Sequence, residues 1–161
     1  MIRMLLIGCL LLLSACASQP PLPSKNPVLS LPLQLHVQRE QDGQRQDWLL
    51  VMQREGGGIR WSMMDPLGIP QARQKLVNGA WQADGLLPPN PQARELFAAL
   101  LFALTSADEV SALYPGTQEM DLTRTLPSHW KITYHSSLVF RVDVMGQQHL
   151  SYRISPLEAA R

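Results

Sequence analysis

Over residues 31–37 the apolar side chains hold the odd positions, Leu31, Leu33, Leu35 and Val37, with Pro32, Gln34 and His36 between them. A period of two predicts a half-buried strand with an early edge proline. Gln41-Asp42-Gly43-Gln44 reads as a turn. A second strand over 48–53 is apolar on both parities and is expected to be covered on both faces. Gly56-Gly57-Gly58 reverses the chain into Ile59, Trp61 and Met63, which alternate with Arg60 and Ser62. Asp65-Pro66-Leu67-Gly68 fits a type I turn and puts Leu67 at its apex, where a leucine has little chance of reaching the core. A fourth strand over 71–77, the hairpin dipeptide Asn78-Gly79 and a short strand over Ala80–Ala83 follow.

The period then changes. Pro88-Pro89-Asn90-Pro91 stops the sheet and starts a helix, with Asn90 as N-cap and Pro91 in the first helical position. That helix is predicted over 91–105. From Leu96 to Leu104 it carries nine apolar residues in a row, so it must be covered nearly all round, yet it is too short to span a bilayer. Ser106 with Glu109 three residues later suggests a capping box for a second, short helix ending near Tyr114-Pro115-Gly116. Alternation returns at Trp130, Ile132 and Tyr134, again at Leu138, Phe140, Val142 and Val144, and finally at Leu150, Tyr152 and Ile154. The expected fold class is mainly β (α+β): a curved antiparallel sheet of roughly eight strands forming an incomplete barrel, with a helical insertion as lid.

Composition narrows the function. The 161 residues carry a net charge of +1, which excludes the basic surface that nucleic-acid binding needs. His36, His129, His135 and His149 are each expected on a polar strand parity, and no pair has metal-ligand spacing, so no metal and no other cofactor is expected. The glycine triplet lacks the following lysine and hydroxyl of a phosphate loop. Ser136-Ser137 beside His135 reads as a turn, and Asp108-Glu109 point about 100° apart on a helix and suit its negative first turn. No catalytic residues are assigned, and the chain is not read as an enzyme.

The start of the chain has a positive Arg3, an apolar run over 4–13, and Leu13-Ser14-Ala15-Cys16. As a helix the run spans only about 15 Å, half a bilayer core, so it has the layout of a secretory signal. The tetrapeptide resembles a bacterial lipobox, which implies cleavage before Cys16 and lipidation of its thiol and new amino group. Residues 1–15 are then the signal peptide and 16–27 the lipidated cysteine with a Pro-rich tether, read as an extended spacer lifting the domain off the bilayer. The folded domain covers 28–157. Each buried acyl methylene contributes about 0.8 kcal/mol, so two or three chains hold a protein on the membrane essentially permanently. Ala17, rather than an aspartate, follows the cysteine. By enteric-type sorting this implies export to the periplasmic face of the outer membrane through the lipoprotein export machinery.

A lipobox, a spacer, a hairpin series, a strand ending in Asp65-Pro66-Leu67-Gly68, two helices and three further strands together resemble the outer-membrane lipoprotein receptor LolB and its periplasmic relative LolA. The resemblance covers about 31–154, without a counterpart of the receptor's opening helix. A family of small outer-membrane lipoproteins encoded beside aryl-polyene and fatty-acid-type biosynthesis genes looks closer still. The resemblance implies an incomplete barrel closed by helices over a hydrophobic cavity for acyl chains. It also implies a membrane-contacting role for Leu67.

The expected function is therefore binding or transfer of an acyl or polyene lipid, or a lipoprotein's acyl chains, in a half-barrel cavity. Candidate ligand-binding residues are Trp48, Leu50, Met52, Ile59, Trp61 and Met63 from the sheet, with Leu96, Leu100 and Leu104 from the helix. Alternation places the sheet residues on shared faces without saying which face is concave. The alternative is an accessory protein-interaction lipoprotein of an envelope assembly with a filled core.

Overall fold

A computed structural model describes residues 19–147 and 149–157; the signal segment and Cys16 fall outside these described residues. The first five strands form a meander: β1 (Leu33–Gln41), β2 (Gln44–Glu55), β3 (Gly58–Met64), β4 (Pro70–Val77) and β5 (Ala80–Ala83). Two helices follow, α1 (Pro91–Leu104) and α2 (Ala107–Leu113). A second meander then runs through β6 (Gln118–Met120), β7 (Thr123–Leu126), β8 (Trp130–Ser136), β9 (Val139–Val144) and β10 (Ser151–Pro156). Antiparallel pairing of β1 with β10 joins the meanders into one ten-stranded sheet, ordered β5-β4-β3-β2-β1-β10-β9-β8-β7-β6. The sheet is curved and unclosed, with β5 and β6 as its free edges. The helices connect these two edges.

The register explains why one face is apolar. Leu35 opposes Leu50, Leu50 opposes Met63 and Met63 opposes Ala72, a buried row across four strands. Val37 likewise opposes Trp48 on one side and Ile154 on the other, continuing to Phe140 and Tyr134. Because side chains alternate, the longer strands send most of their apolar side chains to this face. α1 sits against it. Phe97 stacks on Trp61 of β3 at 5.2 Å, and Phe102 meets Trp130 of β8 at 5.8 Å. The sheet thus wraps the helix from both halves, and every residue from Leu96 to Ala103 is buried.

Turn chemistry matches the local sequence. Asn78 and Gly79 both have positive φ, the pairing a tight I′ hairpin requires. Gly58 is needed for space: a Cβ there would stand 2.6 Å from the Leu76 carbonyl oxygen on the neighbouring strand. Asn90 caps α1, its side chain accepting from the Ala93 amide at 3.1 Å.

Several expectations need correction. The hairpin β6–β7 adds two strands that alternation did not show, because its strands are only three and four residues long and β6 is wholly exposed. Pro32 precedes β1 rather than lying in it. β2 is covered on one face only, since Leu49 and Val51 are half-buried on the outer side. At α2 the capping box is absent: the Ser106 hydroxyl bonds no backbone amide and instead donates to Glu109 Oε2 at 3.3 Å. That same oxygen accepts from the Val28 amide at 3.2 Å.

The tether also differs from a free spacer. Pro23 and Pro27 are buried and Leu22 packs against the core. The Arg54 guanidinium donates to the Leu29 carbonyl at 3.0 Å. Proline fixes φ and removes a donor, which keeps the segment extended without keeping it off the body. The strap touches both halves of the sheet: Pro23 approaches Gly79 in the β4–β5 turn, and Leu22 lines a hollow with Leu113 of α2 and Leu126 of β7.

Candidate functional site

The candidate site is the space between the inner sheet face and α1. Burial of the helix is apolar along its length, and polar contacts hold its two ends. Near its start, Glu95 accepts from Trp130 Nε1 at 2.6 Å, while Arg94 donates to Gln74 Oε1 of β4 at 3.3 Å. These contacts tie one turn of helix to both halves of the sheet.

At the other end, Arg124 of β7 reaches under the last turn. Its Nη1 donates to the carbonyls of Thr105 at 2.6 Å and Phe102 at 3.0 Å. Tyr134 donates its hydroxyl to the Ala103 carbonyl at 2.7 Å, and the Thr105 hydroxyl donates to Leu101 at 2.7 Å. Carbonyls at a helix C-terminus have no partner within the helix and carry partial negative charge, which a buried guanidinium satisfies on both counts. α1 has no basic residue in its last turn, so the cation comes from across the fold. Arg124 is 5% exposed, lies 5.8 and 5.6 Å from the ring centroids of Phe102 and Tyr134, and pairs with Glu119 at 2.8 Å. Burial pushes the Tyr134 hydroxyl up to about 12 against the opposing pull of Arg124. Burial likewise raises Tyr114 and Tyr152.

Arg124, Glu95 and Tyr134 were not singled out by sequence reasoning. The one available signal was Arg124 on the same parity as Leu126 in Thr-Arg-Thr-Leu, a lone charge on an inward position.

All nine candidate ligand-binding residues belong to this inner face or to α1. Leu50, Met52, Ile59, Trp61, Met63, Leu96 and Leu100 are buried in one cluster, and Trp48 and Leu104 are partly buried against it. Trp48 sits beside Tyr152 of β10, ring centroids 6.5 Å apart. The side chains are packed on one another and on α1. Ile59 lines a hollow beside Gly56, Gly57 and Gly58, and further hollows open among the described residues. One, of about 380 Å³, opens at the N-terminal end of α1 between Pro20, Pro91, Arg94, Leu150 and Tyr152.

Leu67 is 85% exposed, as the turn geometry predicted. Asp65 builds that turn. Its Oδ1 accepts from the amides of Leu67 and Ile69, both at 2.9 Å, and its carbonyl accepts from Gly68 at 2.9 Å. The leucine is therefore held outward by a rigid turn with exposed Ile69 beside it.

The histidines are dispersed. His36 bonds Asp47 at 2.7 Å on the outer face, His135 is exposed on β8, and His129 and His149 lie in turns rather than on strand parities. Ser136 ends β8 and Ser137 opens the turn into β9, and both are exposed. Among the described residues no helix is long and apolar enough to cross a membrane. Neither a protein-family model nor a curated protein matches this chain.

Proposed function

We propose that this chain is a lipoprotein anchored through Cys16 to the periplasmic face of the outer membrane. There it binds or passes on an acyl or polyene lipid, or a lipoprotein's acyl chains, without covalent chemistry. One observation carries the reading: a helix that is apolar throughout from Leu96 to Leu104 is seated in a sheet whose two edges share no hydrogen bonds. Such an interior can widen along the β5–β6 seam without breaking the sheet, and α1 then serves as the lid that a ligand displaces. Exchanging helix for acyl chain conserves buried apolar area, so the swap needs little net hydrophobic free energy. In this reading Leu67 is the side chain that enters the bilayer during transfer.

The test is native mass spectrometry of the Cys16→Ser protein without its signal, purified gently from cells. A bound mass that leaves on denaturation and extracts as an acyl or polyene lipid supports the carrier. A clean apo mass, with no later uptake of a fluorescent fatty acid, refutes it.

A specific observation favours a second reading, an accessory protein-interaction lipoprotein. α1 packs on the inner face, with every residue from Leu96 to Ala103 buried in the core cluster. A stable protein partner recovered together with a dry interior would decide for it.

A further inference from the structure

Three buried donors next to one another have no acceptor. Trp61 Nε1, Trp81 Nε1 and Gln74 Nε2 are each shielded from water and make no hydrogen bond. They come from adjoining inward positions: Trp61 of β3 opposes Gln74 of β4, and Leu76, two residues along β4, opposes Trp81 of β5. The two indoles meet edge to face at 5.7 Å. Gln74 is 2% exposed, and Arg94 donating to its Oε1 fixes the amide so that Nε2 is the spare donor. Arg94 itself takes part in no ion pair among the described residues. Asp84, just past β5, is occupied by Arg60 at 2.5 Å and Arg73 at 3.1 Å.

Buried polar groups in folded proteins are nearly always paired, because an orphaned donor loses its water without compensation. Three orphans beside a half-buried guanidinium that has no ion-pair partner among the described residues point to a site short of negatively charged acceptor oxygen. We propose that the β3–β4–β5 end of the inner face is a head-group site in which Trp61, Gln74, Trp81 and Arg94 bind the anionic oxygens of a single-chain lipid. The proposal rests on the lipid-binding reading and adds the chemistry of the head: a carboxylate or a phosphate, and not an alcohol or amide. Phe97 stands against both indoles, at 5.2 and 5.9 Å, and occupies the place the first carbons of the chain would take. β5 is a free edge, so the site opens without parting any strand pair.

The test uses the Cys16→Ser protein after delipidation, with cis-parinaric acid, its alcohol and a phosphate-headed single chain of equal length as probes. The acid is expected to bind at least tenfold more tightly than the alcohol, with the phosphate arm reporting which anionic head is preferred. Arg94→Gln and Trp81→Phe should each erode that preference while leaving the alcohol's affinity nearly unchanged. Equal binding of all three probes, or a preference that survives Arg94→Gln combined with Gln74→Leu, overturns the proposal and leaves lipid binding intact. Failure of every probe to bind removes both. A readout without ligand stands beside these: Gln74→Leu gives up the bond from Arg94 but also removes an orphaned buried donor, so the two should offset and the apo protein's urea midpoint should change little. A clear fall would make Gln74 a structural strut and count against the site.

Discussion

Arg124 Nη1 stands 2.6 Å from the Thr105 carbonyl oxygen, so a guanidinium from the second half of the sheet closes the end of a helix that begins against the first. Through this contact and that of Glu95 with Trp130, polar groups position an otherwise apolar helix. Hydrophobic contact alone is non-directional and would let α1 slide or rotate. Replacing Arg124 by methionine nearly keeps volume and strands the carbonyls of Phe102 and Thr105, while that of Ala103 keeps the Tyr134 hydroxyl. The expected loss is about 2–3 kcal/mol in urea unfolding, the scale of buried hydrogen bonds to a charged group. A loss below about 0.5 kcal/mol, the range of ordinary surface substitutions, would show that Arg124 does not hold the helix.

Phe97→Ala removes the ring that fills the space between Trp61 and Trp81. The expected destabilisation is about 3–5 kcal/mol, as for a large-to-small change in a packed core. Under the carrier reading the vacated space is acyl space. Uptake of a fluorescent fatty acid should therefore rise even as the apo protein weakens, and unchanged uptake with lower stability would speak for an ordinary core.

Leu67→Glu changes a residue that touches little of the protein. Its effect on stability should stay within about 0.5 kcal/mol, and ligand binding should be retained. Delivery of a bound fluorescent fatty acid to liposomes should fall sharply. Normal delivery by the variant would remove Leu67 from the transfer step.

The strap over Leu22 and Pro23 contacts the β4–β5 turn and the α2–β7 side. Leu22→Asp with Pro23→Asp should detach it and raise amide exchange in β5 and in β6–β7, leaving the central pair β1–β10 protected. Hydrogen exchange with mass spectrometry reads this directly. Edge strands that exchange as before, on a strap shown to be free, would mean that it does not hold the seam.

Alkaline pH gives a further check, because burial raises the hydroxyls of Tyr114, Tyr134 and Tyr152. Tyr134 moves up to about 12, against an ordinary value of about 10. The folded state then holds its proton more tightly than the unfolded state. The contribution to stability is complete below about pH 10 and is lost as pH climbs from there through 12. Without denaturant, phenolate absorbance should rise at higher pH than it does in the urea-unfolded chain, and coincident titration curves would contradict buried phenols.

Local features were largely legible. Asn90 capping α1, the positive φ at Asn78-Gly79 and the exposed Leu67 follow from turn chemistry, and alternation puts Ile59, Trp61 and Met63 on one face without saying that it is the inner one. Legibility failed where an element is short or its partner distant. Gln118–Met120 is three exposed residues with no apolar parity to betray a strand, and it pairs only because β7 follows it. Ser106-Glu109 had the spacing of a capping box, but Val28, far away in sequence, also claims the carboxylate.

By itself the sequence determined the periods of the strands, the completely apolar stretch that obliges α1 to be covered, and the turn that turns Leu67 outward. These depend on side-chain geometry over a few residues. Only the tertiary structure decided which face is inner, that α1 lies within the curve, that a proline strap packs instead of hanging free, and that Trp61, Gln74 and Trp81 bring unpaired donors together. The reason is pairing between strands: the register of the β3–β4–β5 hairpins sets Trp61, Gln74 and Trp81 close together, and the joining of β1 to β10 unites the two ends of the folded chain, neighbours that no local period encodes.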